Sequence, residues 1–191
     1  MKTIQSFFQK LSFTEKSAPL AFLTASILSF GLLIPTLGYY MDDWGYVFYA
    51  NLKGINSLQE MLLYDTRPFA AWLYMFGFNV LGFRPVAWHL MALFMHWGIV
   101  IFLWMLFKTI WPSRKIEAIQ ISLLFGVYPF FMTQPSPVAY THIWFGFLAF
   151  NFSLLLMVWA TKANTHKAIT FTLLAMGAEA AHLFTGEYFS G

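Results

Sequence analysis

The sequence predicts an all-α membrane protein, a polytopic bundle of about five transmembrane helices with a long loop after the first. Of its 191 residues, 59% are hydrophobic and 10% are charged, so polar side chains are too few to cover a water-soluble surface. Several uncharged apolar segments approach or exceed the roughly 20 residues that a helix needs to cross a bilayer. The chain has no cysteine, which excludes disulfides and thiolate chemistry.

The first predicted span covers residues 18–39 and follows Lys2, Lys10 and Lys16. Its apolar run is longer than that of a signal peptide and ends in aromatic residues, so we expect a retained helix whose N-terminus is cytoplasmic. A cluster of prolines divides the long apolar run after residue 117 into two spans. The remaining spans are predicted at residues 86–108, 117–133, 142–161 and 168–185.

Residues 68–83 are apolar but short for a crossing, and the Lys and Arg distribution decides their placement. If this segment crossed, most of the basic residues would lie outside, against the positive-inside rule. If it lies in the outer interface, the basic residues left outside are Lys53, Arg67 and Arg84. We therefore predict one external loop at residues 40–85.

Three short interfacial helices are expected within this loop. Residues 43–52 have an amphipathic pattern that ends at Lys53 and Gly54. Ser57 followed by Glu60 predicts a second short helix, and Pro68 suits the first turn of a third.

The adjacent carboxylates of Asp42 and Asp43 follow the first span directly. They could simply cap a helix in a solvated turn, because acidic residues favour helix N-termini. Alternatively, one could act as a general base while the other adjusts its pKa, or both could hold a divalent cation. No other metal site is predicted.

Asp65 and Arg67 lie at the far end of the same loop. Arg67 could pair with Asp65 or extend along the interface, but a guanidinium also matches the oxygens of a phosphate. Arg84 is a second candidate for phosphate binding or an interfacial anchor.

Five further polar residues are candidates for structural or functional roles. His89 and His96 share one face of the second span, and His89 is close enough to the loop to border a site there. Glu179 and His182 are three residues apart and are expected to pair within the last span. Glu187 follows that span and could join the acidic loop or end the helix.

The order of these elements resembles the GT-C superfamily of membrane glycosyltransferases, with some likeness to protein O-mannosyltransferases and to O-antigen glucosyltransferases. The resemblance rests on short motifs, namely Asp42-Asp43-Trp44, Arg67-Pro68, the segment 82–96, Phe125-Gly126-Val127-Tyr128-Pro129 and Gly186-Glu187. It implies that Asp42 is the catalytic base, Asp43 a supporting acid and Arg67 the contact for the lipid phosphate. Such enzymes are longer, so the resemblance also implies that residues 1–191 form the N-terminal part of a GT-C module.

We therefore expect a sugar transferase of the cytoplasmic (inner) membrane, using a polyprenyl-phosphate sugar and acting on its outer face. The acceptor would be a glycan, a lipid or a protein, and membrane lipids are the other expected partners, with no role for nucleic acid. A multi-pass transporter or lipid flippase is the first alternative. A truncated, non-catalytic membrane subunit is the second.

Overall fold

The computed structural model describes residues 14–64, 67–128 and 135–186, and every regular element within these ranges is helical. This confirms the predicted α class. The helices are α1 (Ala18–Ser26), α2 (Asp43–Lys53), α3 (Leu58–Tyr64), α4 (Ala71–Leu81), α5 (Pro85–Ile110), α6 (Lys115–Val127), α7 (Thr141–Lys162) and α8 (Thr165–Thr185).

Four helical segments are long and apolar enough to cross a membrane: Ala18–Thr36, Pro85–Ile110, Thr141–Lys162 and Thr165–Thr185. They coincide with four of the predicted spans. The first is α1 extended by a π-helical turn at Ile27–Gly31 and a 3₁₀ turn at Ile34–Thr36.

The predicted span at residues 117–133 corresponds in part to α6. This helix has 13 residues, which is about 20 Å of helix, and residues 129–134 lie outside the described ranges. The total of five spans therefore stays a prediction.

The short apolar segment Pro68–Leu81 begins with a 3₁₀ turn and continues as α4. It is not among the four long helices, in agreement with its short sequence pattern. The helix lies against α5 through Gly77, where an added Cβ would come within 2.5 Å of the Trp88 ring. Gly82 then reverses the chain with a φ of 62°, and its carbonyl accepts a hydrogen bond from Trp88 Nε1 at 2.9 Å.

The loop between the first two long helices packs into a small core that also includes Trp88 of α5 and the segment before α7. Its first two short helices stand where the sequence predicts helices, after Asp43 and after Ser57, and Gly54, with a φ of 88°, ends α2. That this loop is external and interfacial stays a prediction. Leu58, Leu62 and Phe78 are almost fully buried there. Each such side chain contributes about 1.5–3 kcal/mol relative to exposure to water, so the loop forms a platform at one end of the bundle.

Basic residues collect at the other end. The Glu15 carboxylate lies 2.6 Å from Lys115 Nζ and 3.8 Å from Lys108 Nζ, and these ammonium groups hold the pKa of Glu15 below its usual range. Lys162 Nζ donates to the Thr109 carbonyl, which brings the end of α7 to the same place. This grouping supports the prediction that these residues share one membrane face, whose orientation stays a prediction.

Candidate functional site

The acidic pair lies at the start of α2, and its two members have different surroundings. Asp42 is exposed, whereas Asp43 is fully buried. The preceding residue, Met41, has a φ of 45°, a left-handed conformation that is uncommon outside glycine. The two carboxylates thus differ in exposure although they are adjacent in the sequence.

The Asp43 carboxylate links the first loop to the segment that precedes α7. The Ala139 N–H donates to Asp43 Oδ1 at 2.8 Å, and the Tyr40 N–H donates to Oδ2 at 3.3 Å. The Ser136 hydroxyl also reaches the Tyr40 carbonyl, at 3.4 Å. Asp43 therefore has a structural role in joining these two segments, and its expected role as a supporting acid stays a prediction.

Burial raises the pKa of the Asp43 carboxyl above its usual range. The backbone N–H groups of Ala139 and Tyr40 oppose this shift, because they bind the ionised form, and the nearby His89 acts in the same direction. Burial and the Asp43 charge also raise the pKa of Tyr39 to about 12. The Asp43 charge therefore acts on Tyr39, four residues earlier in the chain.

A cavity of about 690 Å³, here called the polar cavity, opens beside the acidic pair. Both Asp42 and Arg67 line it, together with Tyr46, Tyr140 and His142. The backbone of Arg67 is held at the end of α3, since its N–H donates to the Leu62 carbonyl at 2.8 Å. An exposed carboxylate and a half-buried guanidinium thus face one compartment.

Tyr74 supports the wall of this cavity from behind. Its side chain is fully buried, and its hydroxyl donates to the Ala139 carbonyl at 2.9 Å and lies 2.8 Å from His142 Nδ1. The Tyr74 ring also stacks on Tyr46, with centroids 4.6 Å apart. The Ala139 backbone is therefore held at its N–H by Asp43 and at its carbonyl by Tyr74.

Sequence reasoning missed Tyr74 and His142. Tyr74 looks like one more aromatic residue in an apolar segment. His142 did carry a signal, because it stands at the start of a span directly after the proline cluster, level with the loop.

The other predicted site residues lie elsewhere. Arg84 is exposed at the start of α5 and is not among the residues that line the polar cavity. His89 is fully buried and donates through Nε2 to the Gly38 carbonyl at 3.0 Å, so it supports the chain before the acidic pair and does not border the cavity. Asp65 and Glu187 lie outside the described residues.

In the described parts of the chain, no group of three or more His, Cys, Asp or Glu side chains is placed to hold a metal ion. Both oxygens of the Asp43 carboxylate accept hydrogen bonds from backbone N–H groups, whereas Asp42 lines the polar cavity. A divalent cation held by the two carboxylates of this pair stays a prediction.

A second cavity, of about 250 Å³, lies between α7 and α8 and is here called the apolar cavity. Phe147, Phe150 and His182 are among its lining residues, and His142 belongs to the walls of both cavities. His182 Nδ1 lies 3.3 Å from Glu179 Oε1, which confirms the predicted pair on the last long helix.

These features define a helical membrane protein with a carboxylate–guanidinium cavity at one end of its bundle. Comparison of the chain with family models, with characterised proteins and with solved structures finds no match. The function is therefore inferred from the arrangement of side chains around the two cavities.

Proposed function

We propose that the protein is a membrane glycosyltransferase of the GT-C type, which transfers a sugar from a polyprenyl phosphate to an acceptor. The observation that carries this proposal is that Asp42 and Arg67 line the same cavity. A carboxylate can accept a proton from an acceptor hydroxyl, and a guanidinium is suited to a phosphate. Sugar transfer from a lipid phosphate to a hydroxyl acceptor can use both groups.

In the proposed reaction, Asp42 accepts the proton of the acceptor hydroxyl as its oxygen attacks the anomeric carbon. The bond between that carbon and the phosphate oxygen breaks, and the electron pair leaves with the lipid phosphate. Arg67 offsets the charge that develops on this phosphate. Attack from the face opposite the leaving group inverts the anomeric centre.

The position of the cavity suits a lipid-linked donor. It lies where α2 and α3 meet the start of α7, while the Lys-rich end of the bundle is a helix length away. The 26 residues of α5 correspond to about 39 Å, enough to separate the two membrane surfaces. We propose that the cavity faces the outer surface of the cytoplasmic membrane, at the level of the lipid headgroups.

Sugar transfer by purified protein in lipid nanodiscs tests this proposal, with polyprenyl-phosphate glucose or mannose as donor and cell-envelope glycans and lipids as acceptors. Asp42→Asn is expected to lower the rate by about 10²–10⁴-fold, the contribution typical of a general base. Arg67→Ala is expected to weaken donor binding, with partial recovery in Arg67→Lys. Arg84→Ala is the matched control, because Arg84 is a basic residue of the same platform outside the cavity. Near wild-type transfer by both Asp42→Asn and Arg67→Ala would refute the proposal.

A transporter is the second candidate, and the Glu179–His182 pair on α8 is the observation that favours it. Ionisable groups within a membrane helix often mark a substrate or proton path. This alternative expects Glu179→Gln to abolish activity while Asp42→Asn has little effect. The transferase proposal expects the reverse, a large loss of activity in Asp42→Asn and little effect of Glu179→Gln.

A further inference from the structure

His142 stands between two compartments of opposite character. It belongs to the first turn of α7, and only 3% of its surface is exposed. On one side lies the polar cavity with Asp42 and Arg67, and on the other lies the apolar cavity with Phe147 and Phe150. The imidazole is therefore part of a partition between the two.

Tyr74 fixes the orientation of this partition. A tyrosine hydroxyl has one hydrogen, and that of Tyr74 donates to the Ala139 carbonyl at 2.9 Å. The 2.8 Å contact with His142 is then a hydrogen bond in which Nδ1–H donates to the Tyr74 oxygen. Since Tyr74 is itself fully buried and stacked on Tyr46, the ring of His142 has a rigid support.

The apolar cavity extends from the level of the polar cavity along two membrane helices. Its α7 residues run from His142 to Phe150, which corresponds to about 12 Å along the helix axis. Its other wall includes His182, in the last turn of α8. The two helices approach each other closely at Gly146, since an added Cβ there would lie 3.2 Å from His182 Cδ2.

We infer that the two cavities form one site for a phosphate-bearing amphiphile, with His142 as the positioning residue at the junction of its charged and hydrocarbon parts. The phosphate lies beside Arg67 in the polar cavity. The first part of the hydrocarbon chain lies in the apolar cavity, against Phe147 and Phe150. The inference rests on the proposed function for the identity of the amphiphile, but its geometry applies to any single-chain phosphate.

Binding of alkyl phosphates of increasing chain length to the full chain in nanodiscs tests the apolar compartment. Affinity should rise with length up to about fourfold per CH₂, the value for full burial of a methylene group. Gly146→Leu, which places a side chain in the cavity, should flatten this dependence. Gly177→Leu is the matched control, because a Cβ at Gly177 meets nothing within 4 Å.

Phe147→Ala is the second variant, and it enlarges the cavity without adding bulk. It should move the preference towards longer or branched chains. Partition into the nanodisc lipid is common to all variants and cancels in these comparisons. A chain-length dependence identical in wild type, Gly146→Leu and Phe147→Ala would overturn the assignment of the apolar cavity.

A double-mutant cycle tests the role of His142. Tyr74→Phe removes the hydroxyl alone and should weaken binding of every alkyl phosphate by roughly three- to tenfold, as expected for one hydrogen bond. If Tyr74 acts through His142, the same change should have no further effect in a His142→Phe background. Equal losses in both backgrounds would show a merely structural Tyr74 and overturn the positioning role. Tyr49→Phe, which alters a hydroxyl outside both cavities, is the control.

The two proposals fail separately. If Gly146→Leu and Tyr74→Phe change alkyl phosphate binding but no polyprenyl donor supports sugar transfer, the binding site stands and the transferase proposal is rejected. If sugar transfer depends on Asp42 but not on Gly146 or Tyr74, the transferase proposal stands and the amphiphile site is rejected.

Discussion

Replacement of Asp43 by alanine should destabilise the protein far more than the same replacement of its neighbour Asp42. The change removes the acceptor of two backbone hydrogen bonds, from Ala139 at 2.8 Å and from Tyr40 at 3.3 Å. Hydrogen bonds to charged groups contribute about 1.5–3 kcal/mol each, and the buried N–H groups would be left without this acceptor. Relief of the cost of burying the carboxylate offsets part of this loss, so we expect a net destabilisation of about 3 kcal/mol.

Thermal unfolding of the purified protein in detergent, followed by size-exclusion chromatography, measures the effect. At about 2–4 °C per kcal/mol for a chain of this size, Asp43→Ala should lower Tm by roughly 6–12 °C. Asp43→Asn should have a smaller effect, because the carboxamide keeps one acceptor oxygen. Asp42→Ala is the matched control and should stay within about 0.5 kcal/mol of wild type, as expected for an exposed side chain. Equal Tm values for Asp43→Ala and Asp42→Ala would refute the structural role of Asp43.

The pH dependence of stability and one close helix contact can be tested in the same unfolding assay. Burial raises the pKa of Asp43 in the folded state. The contribution of Asp43 to the free energy of unfolding is therefore fully present below the unfolded-state pKa, and it is lost as the pH rises through the folded-state pKa. The Tm of wild type minus that of Asp43→Asn should therefore fall as pH rises through that range, and a difference constant with pH would contradict the shift. Gly77→Ala should cost about 1–3 kcal/mol, since its Cβ would come within 2.5 Å of the Trp88 ring, whereas Gly45→Ala, with nothing within 4 Å, should be close to neutral.

Local patterns in the sequence predicted the local structure well. The apolar runs predicted the four long helices, and the amphipathic segment before Gly54 predicted α2. The charge distribution also grouped Asp42 and Arg67 in one loop, and these two residues do line one cavity. Periodicity, glycine signals and charge placement are all short-range features, which is why a single sequence reveals them.

The roles of the buried polar residues were not predictable in this way. Asp43 looked equivalent to Asp42, but its partner Ala139 is 96 positions further along the chain. Tyr74 and His142 are 68 positions apart, and no local spacing indicates their contact. Such pairs arise only when the segment before α7 packs onto the loop, and burial then decides which carboxylate faces the cavity.

The most direct test of the proposed mechanism compares donor binding and sugar transfer in a single variant, Asp42→Asn, in nanodiscs. In this mechanism Asp42 acts as the base in a cavity where Arg67 binds the lipid phosphate. The variant should bind a polyprenyl-phosphate sugar with near wild-type affinity, yet transfer the sugar at least about 100-fold more slowly. Unchanged transfer by Asp42→Asn, with donor binding intact, would contradict the mechanism.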